Sequence, residues 1–214
     1  MSDWLTWQIV DSAFPTGTFA HSWGLEAAWQ QGDVDNLPAL RAFLDATIRQ
    51  TARGVIPLVN AAYHAPERLP HLDALADAFL LNAVANAASR VQGRTLLATV
   101  GRIWPGRAIN IPENVLFHVA PITGAAFRAV GLPLDTVQRA VLFAAARGVT
   151  SAAVRLGIAG SYEAQRLLFE CGPLLDDVAS RCREFDEDDL AQTEPIIDLL
   201  QSAHARLYSR LFQS

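Results

Sequence analysis

A chain of 214 residues, 51% hydrophobic and 18% charged, has the material for one large core. Its 17 basic residues are all arginine, and the missing lysine excludes a P-loop nucleotide site, a Schiff base and a lysine general base. A net charge of −5 argues against a nucleic-acid surface, no apolar run reaches the ~18 residues of a membrane helix, and the start MSDWLTWQIVDS lacks the basic region of a secretory leader, so a cytoplasmic protein is expected.

The periodicity is helical nearly throughout. Leu37, Leu40, Leu44, Thr47, Ile48 and Thr51 share one face, with Asn36 and Pro38 suited to starting that helix. A second stripe from Leu72 to Ala87 reads as one core-facing helix. Val137 to Leu156 gives a third, and Ile196 to Leu211 a fourth. Between them lie breakers: Gly32-Asp33, Pro66 to Pro70, Trp104-Pro105-Gly106, Gly131-Leu132-Pro133 and Gly157 to Gly160, after which Ser161 is the expected N-cap with Glu163 in the first turn. Ala108 to Ile111 could be extended, but nothing offers it a strand partner. The acidic run Glu184 to Asp189 reads as a solvated connection, since it lacks the glycine and ligand spacing of a calcium loop. Together these predict an all-α, single-domain bundle of about ten helices, some short, spanning residues 1–214.

Motifs for chemistry within one chain are missing. None of the five histidines belongs to an HExxH or Glu-x-x-His pattern, and no G-x-S-x-G elbow occurs. Cys171 and Cys182 would lie ~16 Å apart on one helix, too far for a disulfide, and are expected to be free thiols. No catalytic residue is assigned, and the chain is expected not to be an enzyme.

Three stretches stand out instead. Asp11 to Glu26, DSAFPTGTFAHSWGLE, sets polar groups among aromatics and glycines. It reads either as a turn into a helix capped by Thr18, with Phe19, Trp23 and Leu25 inward, or as a binding surface. Ala144 to Ala153 is a run of small residues interrupted by Gly148, suited to a tight helix crossing in the core or between subunits. The helical ending His204 to Phe212 carries columns Leu207/Leu211 and Tyr208/Phe212, which must dock on the body or on a partner.

These stretches carry a resemblance. Asp11-Ser-Ala-Phe-Pro-Thr-Gly-Thr-Phe-Ala-His-Ser-Trp-Gly-Leu-Glu26, then Gly131-Leu-Pro-Leu134 with Val149-Thr-Ser-Ala-Ala-Val-Arg-Leu-Gly157 and Gln165, then Tyr208-Ser-Arg-Leu-Phe-Gln-Ser214 are similar, in that order, to the motifs of the urease accessory protein UreF family. His118-Val-Ala-Pro121 departs from that family's His-x-Pro segment by one position, and residues 65–114 match no motif. The resemblance implies an all-α, usually homodimeric chaperone that joins the UreD/UreH accessory protein and the UreG GTPase to deliver nickel to apo-urease. No cofactor is bound stably: nickel passes through the complex, and GTP is bound by the partner GTPase. Residues 204–214 would form a partner-docking tail through Tyr208, Arg210, Leu211 and Phe212. Pro15, Gly17, Phe19, His21 and Glu26 would face a partner, with the GTPase contact or a passage for nickel near Gly17, His21 and Glu26 and His21 a transient nickel ligand; Arg155 is a further partner-facing residue. The alternative from another class is a helical metal-binding enzyme using His21, Glu26 and His118.

Overall fold

Asn36 does what its place ahead of Leu37-Pro38 predicts: its side-chain oxygen accepts the Ala39 N–H at 3.0 Å and opens the helix Leu37–Gly54. The computed structural model describes residues 3–16 and 21–212. Among these, eleven α-helices and no strand are found, confirming the all-α expectation. They are α1 (Asp3–Val10), α2 (Leu25–Gln31), α3 (Leu37–Gly54), α4 (Ile56–His64), α5 (Leu69–Phe79), α6 (Ala83–Ile103), α7 (Val119–Val130), α8 (Leu134–Arg155), α9 (Ser161–Glu170), α10 (Gly172–Arg181) and α11 (Pro195–Ala203), with short 3₁₀ turns between several of them. None of these helices is long and apolar enough to cross a membrane.

The apolar stripes bury into two clusters. One gathers Leu40, Leu44 and Ile48 of α3 with Leu142, Val149 and Ala153 of α8, and is closed by α2, α9, α10 and α11. The other gathers Leu58, Val59 and Ala62 of α4 with Ile122, Ala126 and Val130 of α7, flanked by α1, α5 and α6. Val141 of α8 packs against both. Helices α4 and α7 cross so closely that a side chain at Gly124 would collide with the Val59 backbone. A buried amide pair ties the two regions together. Asn60 donates to the carbonyls of Cys182 at 3.1 Å and Phe185 at 2.8 Å, while Gln138 donates to Asn60 Oδ1 at 2.8 Å and to the Arg183 carbonyl at 3.1 Å.

Three expectations need correction. The stripe from Leu72 to Ala87 is two helices. The chain leaves α5 at Phe79, and Asn82 restarts it by accepting the N–H groups of Val84 at 2.9 Å and Ala85 at 3.4 Å. The fourth helix ends at Ala203 rather than Leu211, because one 3₁₀ turn at His204–Arg206 is followed by irregular chain. Finally, Ser161 is the first residue of α9; the cap position is Gly160, whose N–H donates to Glu163 Oε2 at 2.8 Å.

The acidic run is a connection as expected: Glu184, Asp186 and Asp188 are exposed around the turn Glu187–Asp189, while half-buried Glu187 pairs with Arg68 and half-buried Asp189 with Arg53 at 3.4 Å. Both cysteines are free and buried. Burial pushes the Cys182 thiol up to about 11 and raises that of Cys171 as well.

Candidate functional site

The amino-terminal stretch is shaped by its own residues. Asp11 Oδ1 accepts the Ala13 N–H at 2.6 Å, folding the chain back after α1. Phe14 then enters the core beside Trp104, with ring centroids 6.0 Å apart. Two side chains from other helices hold the turn: Thr99 of α6 donates to the Pro15 carbonyl at 2.7 Å, and Arg147 of α8 to the Val10 carbonyl at 2.6 Å. Gly17 and Phe19, along with the suggested Thr18 cap, lie outside the described residues.

The chain next turns into α2 through two left-handed residues, Trp23 at φ 59° and Gly24 at φ 86°. Glycine at the second position is required twice over. Its φ disfavours any side chain, and a Cβ there would stand 3.0 Å from the Gln201 nitrogen and 3.1 Å from Leu200 Cβ of α11. Trp23 lays its indole on Gly148, where a Cβ would be 2.9 Å from Nε1. The small residue in the middle of α8 therefore serves a contact inside the molecule. The indole Nε1 is buried without an acceptor among the described residues.

Glu26 is 2% exposed and collects three donors from the far end of the chain. The Leu211 N–H reaches Oε1 at 2.6 Å, while the Phe212 N–H at 3.2 Å and His204 Nε2 at 3.0 Å reach Oε2. A carboxylate only accepts, so His204 Nε2 carries the proton of that contact. Phe212 is buried with the Arg155 guanidinium 4.0 Å from its ring centroid. This decides the fate of the tail's inner face: it docks on the body. Its outer face stays open, with Tyr208 fully exposed, Leu211 53% exposed and Arg210 exposed.

The three stretches singled out in the sequence thus meet. Among the described residues, Pro15 and His21 from the first, Gly148, Ser151 and Arg155 from α8, and Phe212 from the tail line one cavity of about 200 Å³. His21 also borders a more open hollow with Val84, His204 and Arg210. His21 is 6% exposed, and burial, with His204 as neighbour, pushes its imidazole down to about 4. At neutral pH it is the uncharged imidazole, the form that can lend a lone pair to a metal.

His118 has a different role. It is wholly buried, with Nδ1 3.1 Å from Ser89 Oγ and Nε2 3.2 Å from Asp77 Oδ1. The same Ser89 oxygen accepts the Val119 N–H, and Asp73 accepts those of Leu116 and His118, so this cluster caps α7. Among the described residues no three His, Cys, Asp or Glu side chains gather to hold a metal ion. His21, Glu26 and His118 therefore do not form the centre that the metal-enzyme alternative requires. His204 and Gln30, which donates to the Ser209 carbonyl at 2.9 Å, were not singled out from the sequence. No local pattern connects His204 to Glu26 or Gln30 to Ser209, 178 and 179 positions apart.

Residues 34–172 match the sequence profile of the UreF family. The chain belongs to the UreF family. It is 35% identical to the urease accessory protein F of Arabidopsis thaliana over 99% of this chain and 92% of that one, and 35% identical to urease accessory protein F of Oryza sativa over 98% and 84%. The urease accessory protein UreF of Roseobacter denitrificans is 33% identical over 97% and 91%. The profile match leaves out both the Asp11 to Glu26 stretch and the tail. The pairwise similarities run past it at both ends, so the UreF likeness is not confined to the helical middle.

Proposed function

We propose that this UreF protein is a non-catalytic scaffold in urease maturation, a single helical body of residues 1–214 that works as a homodimer. It joins the UreD/UreH accessory protein to the UreG GTPase so that nickel, the cargo, reaches apo-urease. GTP is bound and hydrolysed by the partner. The observation that carries this reading is the meeting of the amino-terminal stretch, α8 and the tail around one cavity, with the bulky side chains Tyr208 and Leu211 left facing outward. Exposed Tyr and Leu beside Arg210 suit a protein partner rather than a small ligand.

In this reading Tyr208, Arg210 and Leu211 meet UreD, while Pro15, Gly17, Phe19 and His21 face the GTPase. Glu26, Arg155 and Phe212 support these surfaces from beneath. His21 hands nickel on as a neutral imidazole, which suits that ion.

The test is co-purification. Because His204 and Phe212 are buried, the informative variants are the outward ones, Tyr208→Asp and Leu211→Asp. Both should keep the wild-type circular dichroism and lose co-expressed, tagged UreD. Wild-type recovery of UreD by the double variant would overturn the assignment of the tail. His21→Ala with unchanged urease activation would remove the nickel role from that residue.

A further inference from the structure

Beyond the 3₁₀ turn His204–Arg206 the chain has no helix to hold its course, yet its backbone is held at Ser209, Leu211 and Phe212. Gln30 Nε2 donates to the Ser209 carbonyl at 2.9 Å, Glu26 Oε1 accepts the Leu211 N–H at 2.6 Å, and Oε2 accepts that of Phe212 at 3.2 Å. Glu26 and Gln30 stand one turn apart on α2 and so share a face. That face offers an acceptor for the segment's N–H groups and a donor for its carbonyl. It reads backbone and leaves the side chains of Tyr208 and Leu211 outside.

A buried anion persists only with a full set of donors. Those of Glu26 come from the tail and from His204, which opens the turn leading into it. Arg210 Nη2 in turn donates to the Ala205 carbonyl at 3.0 Å, bracing the bend between them.

We propose that Glu26 is a positioning residue: by capturing the backbone of Leu211 and Phe212 it sets where Tyr208 and Leu211 stand, so the outward surface of the tail is fixed from the amino-terminal motif. The capture itself rests on these hydrogen bonds. Its use in presenting a surface to a partner rests on the function proposed above.

Trypsin reads the tail directly in the full-length protein, because Arg206 and Arg210 are exposed and cleavage there releases residues 207–214 or 211–214. Glu26→Gln keeps the volume and loses the anion, and should speed cleavage at those two sites about tenfold, the loss expected of a charged acceptor, with other sites unchanged. Gln30→Ala should speed it only about two- to threefold, as befits a neutral, exposed bond. Glu26→Gln cut at the wild-type rate would overturn the proposal.

Should Glu26→Gln fail to fold, hydrogen exchange on the wild-type protein decides instead. The amides of Leu211 and Phe212 should exchange at least about a hundredfold more slowly than in a free peptide of the same sequence, as bonded amides do. Exchange at the peptide rate would refute the capture. Co-purification separates this from the functional reading. With tagged UreD, Glu26→Gln should recover about tenfold less partner than wild type, in line with its trypsin sensitivity. If wild type itself recovers none, the docking surface is lost while the trypsin and exchange results still judge Glu26.

Discussion

The guanidinium of Arg155 lies 4.0 Å from the centroid of the Phe212 ring, joining the end of α8 to the tail through a charge on an aromatic face. Phe212 is 5% exposed and belongs to the larger core cluster. The two partners should therefore differ in weight. Phe212→Ala should lower stability by about 3 kcal/mol, the lower end for a buried aromatic. Arg155→Gln should lower it by only about 0.5–1 kcal/mol, the scale of a partly exposed cation on a ring. Chemical denaturation with matched slopes measures both.

The contact of Trp23 with Gly148 makes a second, paired prediction. Gly148→Ala places a methyl group 2.9 Å from the indole Nε1 and should destabilise by about 1–2 kcal/mol through overpacking. Trp23→Phe removes an N–H that has no acceptor among the described residues, so it should be nearly neutral despite the smaller ring. The double variant should then recover part of the Gly148→Ala loss, which a double-mutant cycle by thermal denaturation will detect.

Acid should weaken the fold through buried imidazoles. Burial lowers His21 to about 4 from the ordinary 6.5, and lowers His118 as well, although Asp77 opposes the shift there. An unfolded chain binds these protons at higher pH than the folded one. The stability held by His21 is thus complete above about pH 6.5, falls as pH drops towards 4, and is gone below that. For His21 the total is on the order of 3 kcal/mol. His21→Gln should flatten the pH dependence of the unfolding free energy between pH 4 and 6.5, measured by urea titration at each pH.

Asp77 acts in a lower window. Hydrogen bonds from Asn86, Arg90 and His118 hold its carboxyl at about 2. Its contribution is present above its ordinary pKa near 4 and fades as pH falls towards 2. Asp77→Asn should leave neutral-pH circular dichroism unchanged and remove the part of acid sensitivity below pH 4.

The two cysteines make a chemical prediction. Both are fully buried with raised pKa values, so little thiolate is available at neutral pH. A disulfide reagent should label neither in the native protein within minutes and both in urea.

What the sequence made legible was periodicity and punctuation. Leu37 to Thr51 and Val137 to Leu156 declared α3 and α8 because one apolar face repeats without interruption and a cap or a Gly-Leu-Pro turn bounds it. The stripe from Leu72 to Ala87 misled because the face of α5 continues in phase across the break; only Asn82, as a cap, signals the restart. Tyr208 and Phe212 kept helical spacing, yet Glu26 and Gln30 bind the backbone that a helix would have bonded internally. The site was visible as three unusual stretches, but their meeting was not. Contacts such as Glu26 with His204, 178 positions apart, leave no local trace.

That separation also orders the events of folding. Glu26 enters the growing chain early, while His204, Leu211 and Phe212, which donate to its carboxylate, are made 178 to 186 positions later. Until then the amino-terminal motif carries a carboxylate whose burial would be uncompensated, which disfavours the docking of α2 against α11 during synthesis. Contacts of such length form late. The closure of this molecule is consequently a final act, and a chain released before its last residues would betray itself by an amino-terminal motif left open to proteases and chaperones.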